Sequence, residues 1–302
     1  MRTILLALFI SLAFNASATD STFFFTTSDN VRLYVRVAGK GTPCVFVHGG
    51  PGSTSYYLEG MTAGKLLEKK VQMIYYDQRG SGRSDSALNN DYSAARFSND
   101  LDEIREYLGI SKWHVMGHSF AGFILTDYAL RYPSRISSLL YINATMNIRA
   151  SMQGHLDFGI KELGLQNDTS LTNTSVPVEQ RVWKVHQMLT EKDIWYRLMY
   201  RNAYEKHFND SVTMLIGKFN RDFAGKVWSI PDYTKDLTIE TPSIKLPVFI
   251  MTGDQDYAIG TEHYRAFRFP NRKIVHYIGG HAPFQEEPQW FSEKVLDWLL
   301  KK

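Results

Sequence analysis

Ser119 stands in Gly117-His118-Ser119-Phe120-Ala121-Gly122, between a predicted strand and a predicted helix. A serine on so sharp a strand-to-helix turn presents its hydroxyl as a nucleophile, provided its neighbours are small enough for strand and helix to approach. Gly117 meets that need. The second small position, two after Ser119, is Ala121 where a glycine is usual, with Gly122 next; one extra methyl leaves the turn feasible. A serine hydroxyl is inert without a base. Gly279-Gly280-His281-Ala282-Pro283 follows the last predicted strand, where a loop can carry the imidazole over Ser119. Met251-Thr252-Gly253-Asp254-Gln255-Asp256 leaves the preceding strand with two carboxylates. Asp256, several residues past the strand end, is the favoured partner of the histidine, and Asp254 is left to bond loop amides as turn aspartates do. His276 lies within a strand and His118 adjoins the nucleophile on a turn that aims neighbouring side chains apart, so both read as structural. The chemistry implied is attack of Ser119 on a carbonyl, with His281 taking the proton and Asp256 orienting the imidazole.

Such an attack produces an oxyanion, and His48-Gly49-Gly50-Pro51-Gly52 supplies a loop to receive it. Glycines let backbone N–H groups come close to developing charge. The expected donors are the N–H groups of Gly50 and Phe120, with Gly49 as the substitute for Gly50. Glycine-rich loops also cradle phosphate, but Gly80-Ser81-Gly82 lacks the third glycine of a dinucleotide fingerprint and Gly64-Lys65 is followed by leucine. No metal and no cofactor are called for: the nine histidines include no His-Glu-x-x-His pair, and there is no cysteine cluster.

The elements that must position these residues alternate. Thr22–Thr27 and Val31–Val37 read as an antiparallel opening hairpin around Ser28-Asp29-Asn30. Cys44–Val47, Val71–Tyr76, Trp113–Met116 and Ile136–Ile142 are short apolar runs of the kind buried in parallel sheets. Phe97, Leu101, Ile104 and Leu108 fall on one face of a helix that Gly109 ends. After Asn143, about a hundred residues rich in aromatic and polar side chains read as an inserted helical cap. Strand signals return at Leu246–Thr252 and Lys273–Tyr277, and an amphipathic helix runs from about Pro288 to Leu300. Alternation that resumes after an insertion favours one α/β domain with a lid over two independent domains. The expected division is a first core part over 19–144, the cap over 145–240 and a second core part over 241–302.

Residues 1–18 stand apart from this fold. Arg2, the apolar run Ile4–Phe14 and the small residues Ala16-Ser17-Ala18 have the make-up of a cleaved export signal, so the expected protein is periplasmic or secreted. The run falls short of the roughly 20 apolar residues needed to span a bilayer. Cleavage after Ala18 removes Arg2 and no acid, taking the formal charge from +3 to +2. With basic residues scattered among acids, no nucleic-acid surface is implied, and no second stretch is long enough to hold a membrane. Of 302 residues, 44% are hydrophobic and 22% charged, enough for a large core. Cys44 is the only cysteine, so no internal disulfide can form; its setting in Pro43–Val47 makes it a core hydrophobe.

His48-Gly-Gly-Pro-Gly52, Tyr76-Asp77-Gln78-Arg79-Gly80-Ser81-Gly82-Arg83-Ser84, the Ser119 turn and the Gly280-His281 loop, in that order, resemble the proline iminopeptidases and their α/β-hydrolase relatives. The resemblance covers the chain after residue 18 and is weakest in the cap. It implies an α/β-hydrolase fold, with a mostly parallel central sheet, helices on both faces and an inserted helical cap. It also marks Asp256, in Gly253-x-x-Asp256, as the acid. Family members hold the free N-terminal ammonium of the substrate on acidic cap residues, often in a Gly-Pro-Asn-Glu-Phe-like segment. Here the corresponding stretch is Gly217-Lys218-Phe219-Asn220-Arg221-Asp222-Phe223, so Asp222 is the candidate, with Glu191 and Glu205 behind it. A helix carboxylate paired to Arg221 or Lys226 is an equally good reading of Asp222. The expected activity is release of N-terminal proline or a similar residue from small peptides through an acyl-enzyme. A carboxylesterase or lactonase would use the same triad, and a binding protein that lost its chemistry is the remaining alternative.

Overall fold

The protein is described by a computed structural model over residues 20–217 and 219–301; the export signal read in residues 1–18 lies outside the described residues. Eight strands form one sheet: β1 (Ser21–Thr26), β2 (Arg32–Ala38), β3 (Pro43–Val47), β4 (Gln72–Tyr76), β5 (Trp113–Ser119), β6 (Ile136–Ala144), β7 (Val248–Gly253) and β8 (Arg272–Tyr277). Their spatial order is β1-β2-β4-β3-β5-β6-β7-β8. The hairpin of β1 and β2 joins antiparallel, and every pair from β4 onward is parallel.

In a sheet covered on both faces, alternate residues of a strand enter opposite layers, so the whole run must be apolar. Val45 and Val47 of β3 pack with Ile74, Val115, Leu139 and Ile250 in one layer. Cys44 and Phe46 pack with Met73, Met116, Leu140 and Phe249 in the other. The helices are α1 (Tyr56–Glu59), α2 (Thr62–Glu68), α3 (Ala94–Tyr107), α4 (Ala121–Arg131), α5 (Ile148–Leu163), α6 (Thr169–Thr172), α7 (Val178–Glu191), α8 (Ala203–Met214), α9 (Asp222–Lys226), α10 (Pro283–Glu286) and α11 (Pro288–Leu299). Phe97, Leu101 and Ile104 of α3 and Phe123, Ile124 and Tyr128 of α4 close the first layer. Leu67 of α2 and Phe291, Val295 and Leu299 of α11 close the second. Ser93 caps α3, its hydroxyl accepting from the Arg96 N–H at 3.2 Å.

Helices α5 to α9 interrupt the alternation between β6 and β7. Part of this insertion has a core of its own, in which Leu156 of α5 meets Val182, Val185 and Leu189 of α7. A Cβ on Gly159 would fall 2.0 Å from Val185 Cγ1, which is how closely these two helices lie. The cap aromatics divide: Phe223 is buried in the main core, while Trp183 and Tyr204 face solvent. Most strand ends shift by one or two residues from the sequence-based expectation, and two shifts have a plain physical reason. β5 continues three residues beyond Met116 into the Ser119 turn, because pairing with β6 persists there. β7 begins at Val248 and not at Leu246, since Pro247 has no N–H to give to the ladder. No described helix is long and apolar enough to cross a membrane.

Candidate active site

Ser119 ends β5 with φ +58°, a left-handed conformation that costs a non-glycine residue about 1–2 kcal/mol. The turn is tight on both sides. A Cβ on Gly117 would stand 2.5 Å from Leu125 Cδ1 of α4, and one on Gly122 would stand 2.2 Å from the Thr145 carbonyl oxygen beyond β6. The same hypothetical Gly117 Cβ reaches only 3.0 Å from the Cβ of Ala121. A methyl therefore fits at 121 because 117 and 122 are the positions that must stay bare. Ser119 is half-buried and lines a cavity.

His281 and Asp256 come together from loops 25 positions apart. His281 Nδ1 lies 2.9 Å from both carboxylate oxygens of Asp256, and both side chains are buried. A carboxylate only accepts, so Nδ1 carries the proton and Nε2 is left with a free lone pair. Asp254 is elsewhere: its Oδ1 accepts from the Gly279 N–H at 2.9 Å, as a turn aspartate would. Several bonds fasten the His281 loop. Asn143 Nδ2 donates to the Gly280 carbonyl at 2.8 Å. Glu286 Oε2 accepts from the Gly280 N–H at 3.0 Å while bound to Tyr277 and Arg201, and burial lifts this carboxyl above the usual range. The His281 N–H donates to the carbonyl of Met199, a cap residue, at 2.8 Å. His276 is exposed on β8 with its ring against Tyr264. No hydrogen bond joins Ser119 Oγ to His281 Nε2 among the described residues; such bonds are often long until substrate tightens the site.

The loop at 48–52 passes directly over the Ser119 turn. A Cβ on Gly49 would lie 2.7 Å from both the His118 carbonyl oxygen and Ser119 Cβ. Gly50 takes φ +124°, a conformation open to glycine and strained for other residues. The Gly49 N–H donates to the Tyr57 hydroxyl at 2.7 Å, so it is engaged, whereas the N–H groups of Gly50 and Phe120 bond no other backbone group among the described residues. The Tyr76–Ser84 motif holds this loop in place. Gln78 N donates to His48 Nε2 at 2.9 Å. Asp77 gathers Ser55 N at 2.7 Å, Arg83 N at 2.8 Å and Arg83 Nε at 2.7 Å. The fully buried Arg79 makes fork contacts to Asp100 and Asp29 at 2.7–2.9 Å, which hold the Asp29 carboxyl far below the usual range. The motif is thus a buried ion-pair frame, and none of its residues lines the cavity at Ser119.

That cavity, of about 100 Å³, is lined by Gly50, Tyr57, Ser119, Met199 and His281 among others, and by no carboxylate. Asp222 is not brought to it. Its carboxylate pairs with Lys226 at 2.7 Å and accepts from the Tyr92 hydroxyl, the alternative that the sequence left open. Glu205 is bound to Gln285 at 2.6 Å, and Glu191 lies exposed at the end of α7. Three contributors escaped the sequence reading. Tyr57 and the Met199 carbonyl carried no signal, while Asn143, at the end of β6 with φ +41°, stood where a polar residue closes an apolar strand.

Residues 42–288 match the family model described as alpha/beta hydrolase fold. A proline iminopeptidase of Heyndrickxia coagulans is 26% identical over 271 residues, covering 86% of this chain and 91% of the relative. RutD of Escherichia coli O44:H18 (strain 042 / EAEC), provisionally named a carbamate hydrolase, is 34% identical over 260 residues, covering 84% and 88%. Among solved structures, the proline iminopeptidase-related protein of Thermus thermophilus superposes with a TM-score of 0.76 at 19% identity, covering 94% of this chain and 98% of the other. An esterase of Exiguobacterium antarcticum gives 0.68 at 20%, covering 92% and 99%. With sheet order, inserted cap and family match in agreement, this chain belongs to the α/β-hydrolase family.

Proposed function

We propose that the protein is a serine hydrolase working through an acyl-enzyme, with Ser119 as nucleophile, His281 as base, Asp256 as orienting acid and the N–H groups of Gly50 and Phe120 as oxyanion donors. The observation that carries the reading is the Asp256–His281 pair: contacts of 2.9 Å from Nδ1 to both carboxylate oxygens support the tautomer in which Nε2 of His281, a residue that lines the same cavity as Ser119, can accept a proton. His281 Nε2 takes the Ser119 proton as Oγ attacks the carbonyl carbon. The oxyanion is held by two N–H groups free of other backbone partners, an interaction worth about 2.7–4 kcal/mol for each donor. His281 then protonates the leaving group, which departs as the acyl-enzyme forms. Water, deprotonated by the same imidazole, releases the acid and restores Ser119.

Within this class we favour hydrolysis of amides at a short acyl end, namely release of an N-terminal proline or similar small residue. The order of motifs and the similarity to proline iminopeptidases support that choice. A second reading, carboxylester hydrolysis, is favoured by one observation: the cavity has no carboxylate to meet an ammonium group, and Asp222 is engaged by Lys226. Prolyl-p-nitroanilide, its N-blocked counterpart and p-nitrophenyl acetate separate the two. Turnover of the free prolyl anilide with rejection of the blocked one upholds the aminopeptidase. Equal turnover of both anilides overturns the aminopeptidase, and cleavage of the ester alone assigns the ester reading. The same proposal includes export directed by residues 1–18.

A further inference from the structure

Two buried polar side chains between the oxyanion loop and the histidine loop have no part in the steps above. Tyr57 and His118 are 6% exposed each, and they lie 61 positions apart. His118 Nε2 is 2.8 Å from the His281 carbonyl oxygen. His118 Nδ1 is 3.0 Å from the Tyr57 hydroxyl, which in turn receives the Gly49 N–H at 2.7 Å.

The donors and acceptors permit one arrangement. A carbonyl only accepts, so His118 Nε2 bears the proton. Burial holds this imidazole neutral, far below the usual histidine range, so its Nδ1 is a bare acceptor. The Tyr57 O–H therefore points to Nδ1, and its oxygen turns its lone pairs to the Gly49 N–H. Four groups form one directional chain, Gly49 N–H to Tyr57 O–H to His118 Nδ1, and His118 Nε2–H to the His281 carbonyl. The rings are packed so that the chain cannot slacken by rotation: Phe284 stacks on Tyr57 at 5.4 Å and meets His118 edge-on at 5.0 Å.

We propose that Tyr57 and His118 are positioning residues forming a brace that sets the separation between the oxyanion donor at Gly50 and the base at His281. One end fixes the His48–Gly49 peptide, one unit before the peptide that carries the Gly50 N–H, and the other fixes the main chain of His281. The middle of the brace is the residue adjoining Ser119. Because His118 moves with the nucleophile turn, donor, nucleophile and base keep one geometry. The proposal rests on the triad reading above.

Its consequence is confined to the transition state. Substrate in the ground state does not need the oxyanion donor and the base at fixed separation; the tetrahedral intermediate does. Tyr57→Phe removes one oxygen and preserves the stack on Phe284. With p-nitrophenyl acetate, kcat falls about 10- to 100-fold and KM stays within about twofold of the wild type, the size expected when groups move by up to an ångström. The rate of labelling by a fluorophosphonate probe falls in parallel. His118→Gln, which retains an N–H toward the His281 carbonyl, keeps more activity than His118→Leu. The double variant Tyr57→Phe/His118→Gln loses no more than the worse single variant, as members of one unit do. Turnover of Tyr57→Phe within about twofold of wild type, or losses that multiply in the double variant, overturns the brace, and so does equal damage from Gln and Leu at 118. Should Tyr57→Phe fail to fold, the comparison of the two His118 variants still decides. If Ser119→Ala is labelled by the probe as fast as wild type, the hydrolase reading fails instead, and the two failures are told apart.

Discussion

Gly49→Ala tests the loop over Ser119 more sharply than removal of any triad member, because it adds a methyl group and deletes no functional group. Gly49 does not take a left-handed φ, so the effect is steric. The new Cβ would begin 2.7 Å from the His118 carbonyl oxygen and 2.7 Å from Ser119 Cβ, where ordinary contact starts at 3.4 Å. Both neighbours belong to the strained turn at the end of β5 and have no room to rotate away. The loop must then retreat by about 0.7 Å, carrying the adjoining Gly50 N–H away from the oxyanion position. A displacement of that size predicts a loss in kcat of about 10- to 100-fold, or roughly 1.4–2.7 kcal/mol of transition-state stabilisation. The overpacking cost to the fold is about 1–3 kcal/mol, which lowers Tm by roughly 2–4 °C per kcal/mol. Steady-state turnover of p-nitrophenyl acetate and a thermal melt read the two quantities separately. A wild-type kcat in the folded variant, or a rise in KM with kcat unchanged, refutes the placement of the oxyanion donor on this loop.

Ser119→Ala should lower turnover by a factor on the order of a million with an unchanged melt, and abolish fluorophosphonate labelling. Asp256→Asn, which permits the wrong imidazole tautomer, should lower kcat by about 10⁴-fold. Arg79→Ala strips Asp29 of its guanidinium and leaves the buried Asp100 with Arg96 alone, and should destabilise the fold by about 3–5 kcal/mol in urea titrations. Acid should weaken the fold earlier than its carboxylates alone predict: burial pushes His114 and His263 down to about 4, so below 6.5 the unfolded chain binds protons that the folded one refuses. Stability is then full above 6.5 and declines as pH falls toward 4, by at most about 1.4 kcal/mol per pH unit for each histidine; a flat Tm between pH 7 and 5 contradicts this. N-terminal sequencing of exported protein should begin at Thr19.

Much of the fold was legible because buried parallel strands must be apolar on every position. Cys44–Val47 and Met73–Tyr76 are such runs, and neither can be mistaken for an alternating edge strand such as β1. The Ser119 turn, the Gly49-Gly50 loop and the Gly279-Gly280 loop announced themselves through glycines placed where a Cβ would strike a neighbouring side chain or backbone. Short-range steric demands of this kind leave a mark in the sequence at the residue that meets them. Contacts between distant segments leave none. Nothing in Tyr56-Tyr57 says which of the two tyrosines reaches Gly49 and His118, and nothing in Met199 says that its carbonyl accepts from His281. Asp222 shows the opposite error: its segment lines up with a family motif, yet Lys226 four residues on and Tyr92 across the chain engage its carboxylate. The Tyr76–Ser84 motif was conspicuous as residues but silent on purpose, since its ion pairs join Arg79 to Asp29 and Asp100 and Arg83 to Asp77 and Glu59.

The bond from the His281 N–H to the Met199 oxygen joins the insertion to the proposed base through main-chain atoms alone. Every amino acid brings a carbonyl, so exchange of the side chain at 199 alters the wall of the cavity without deleting that tie. Descendants of this protein can therefore diversify what the insertion admits while inheriting the same grip on the main chain of His281.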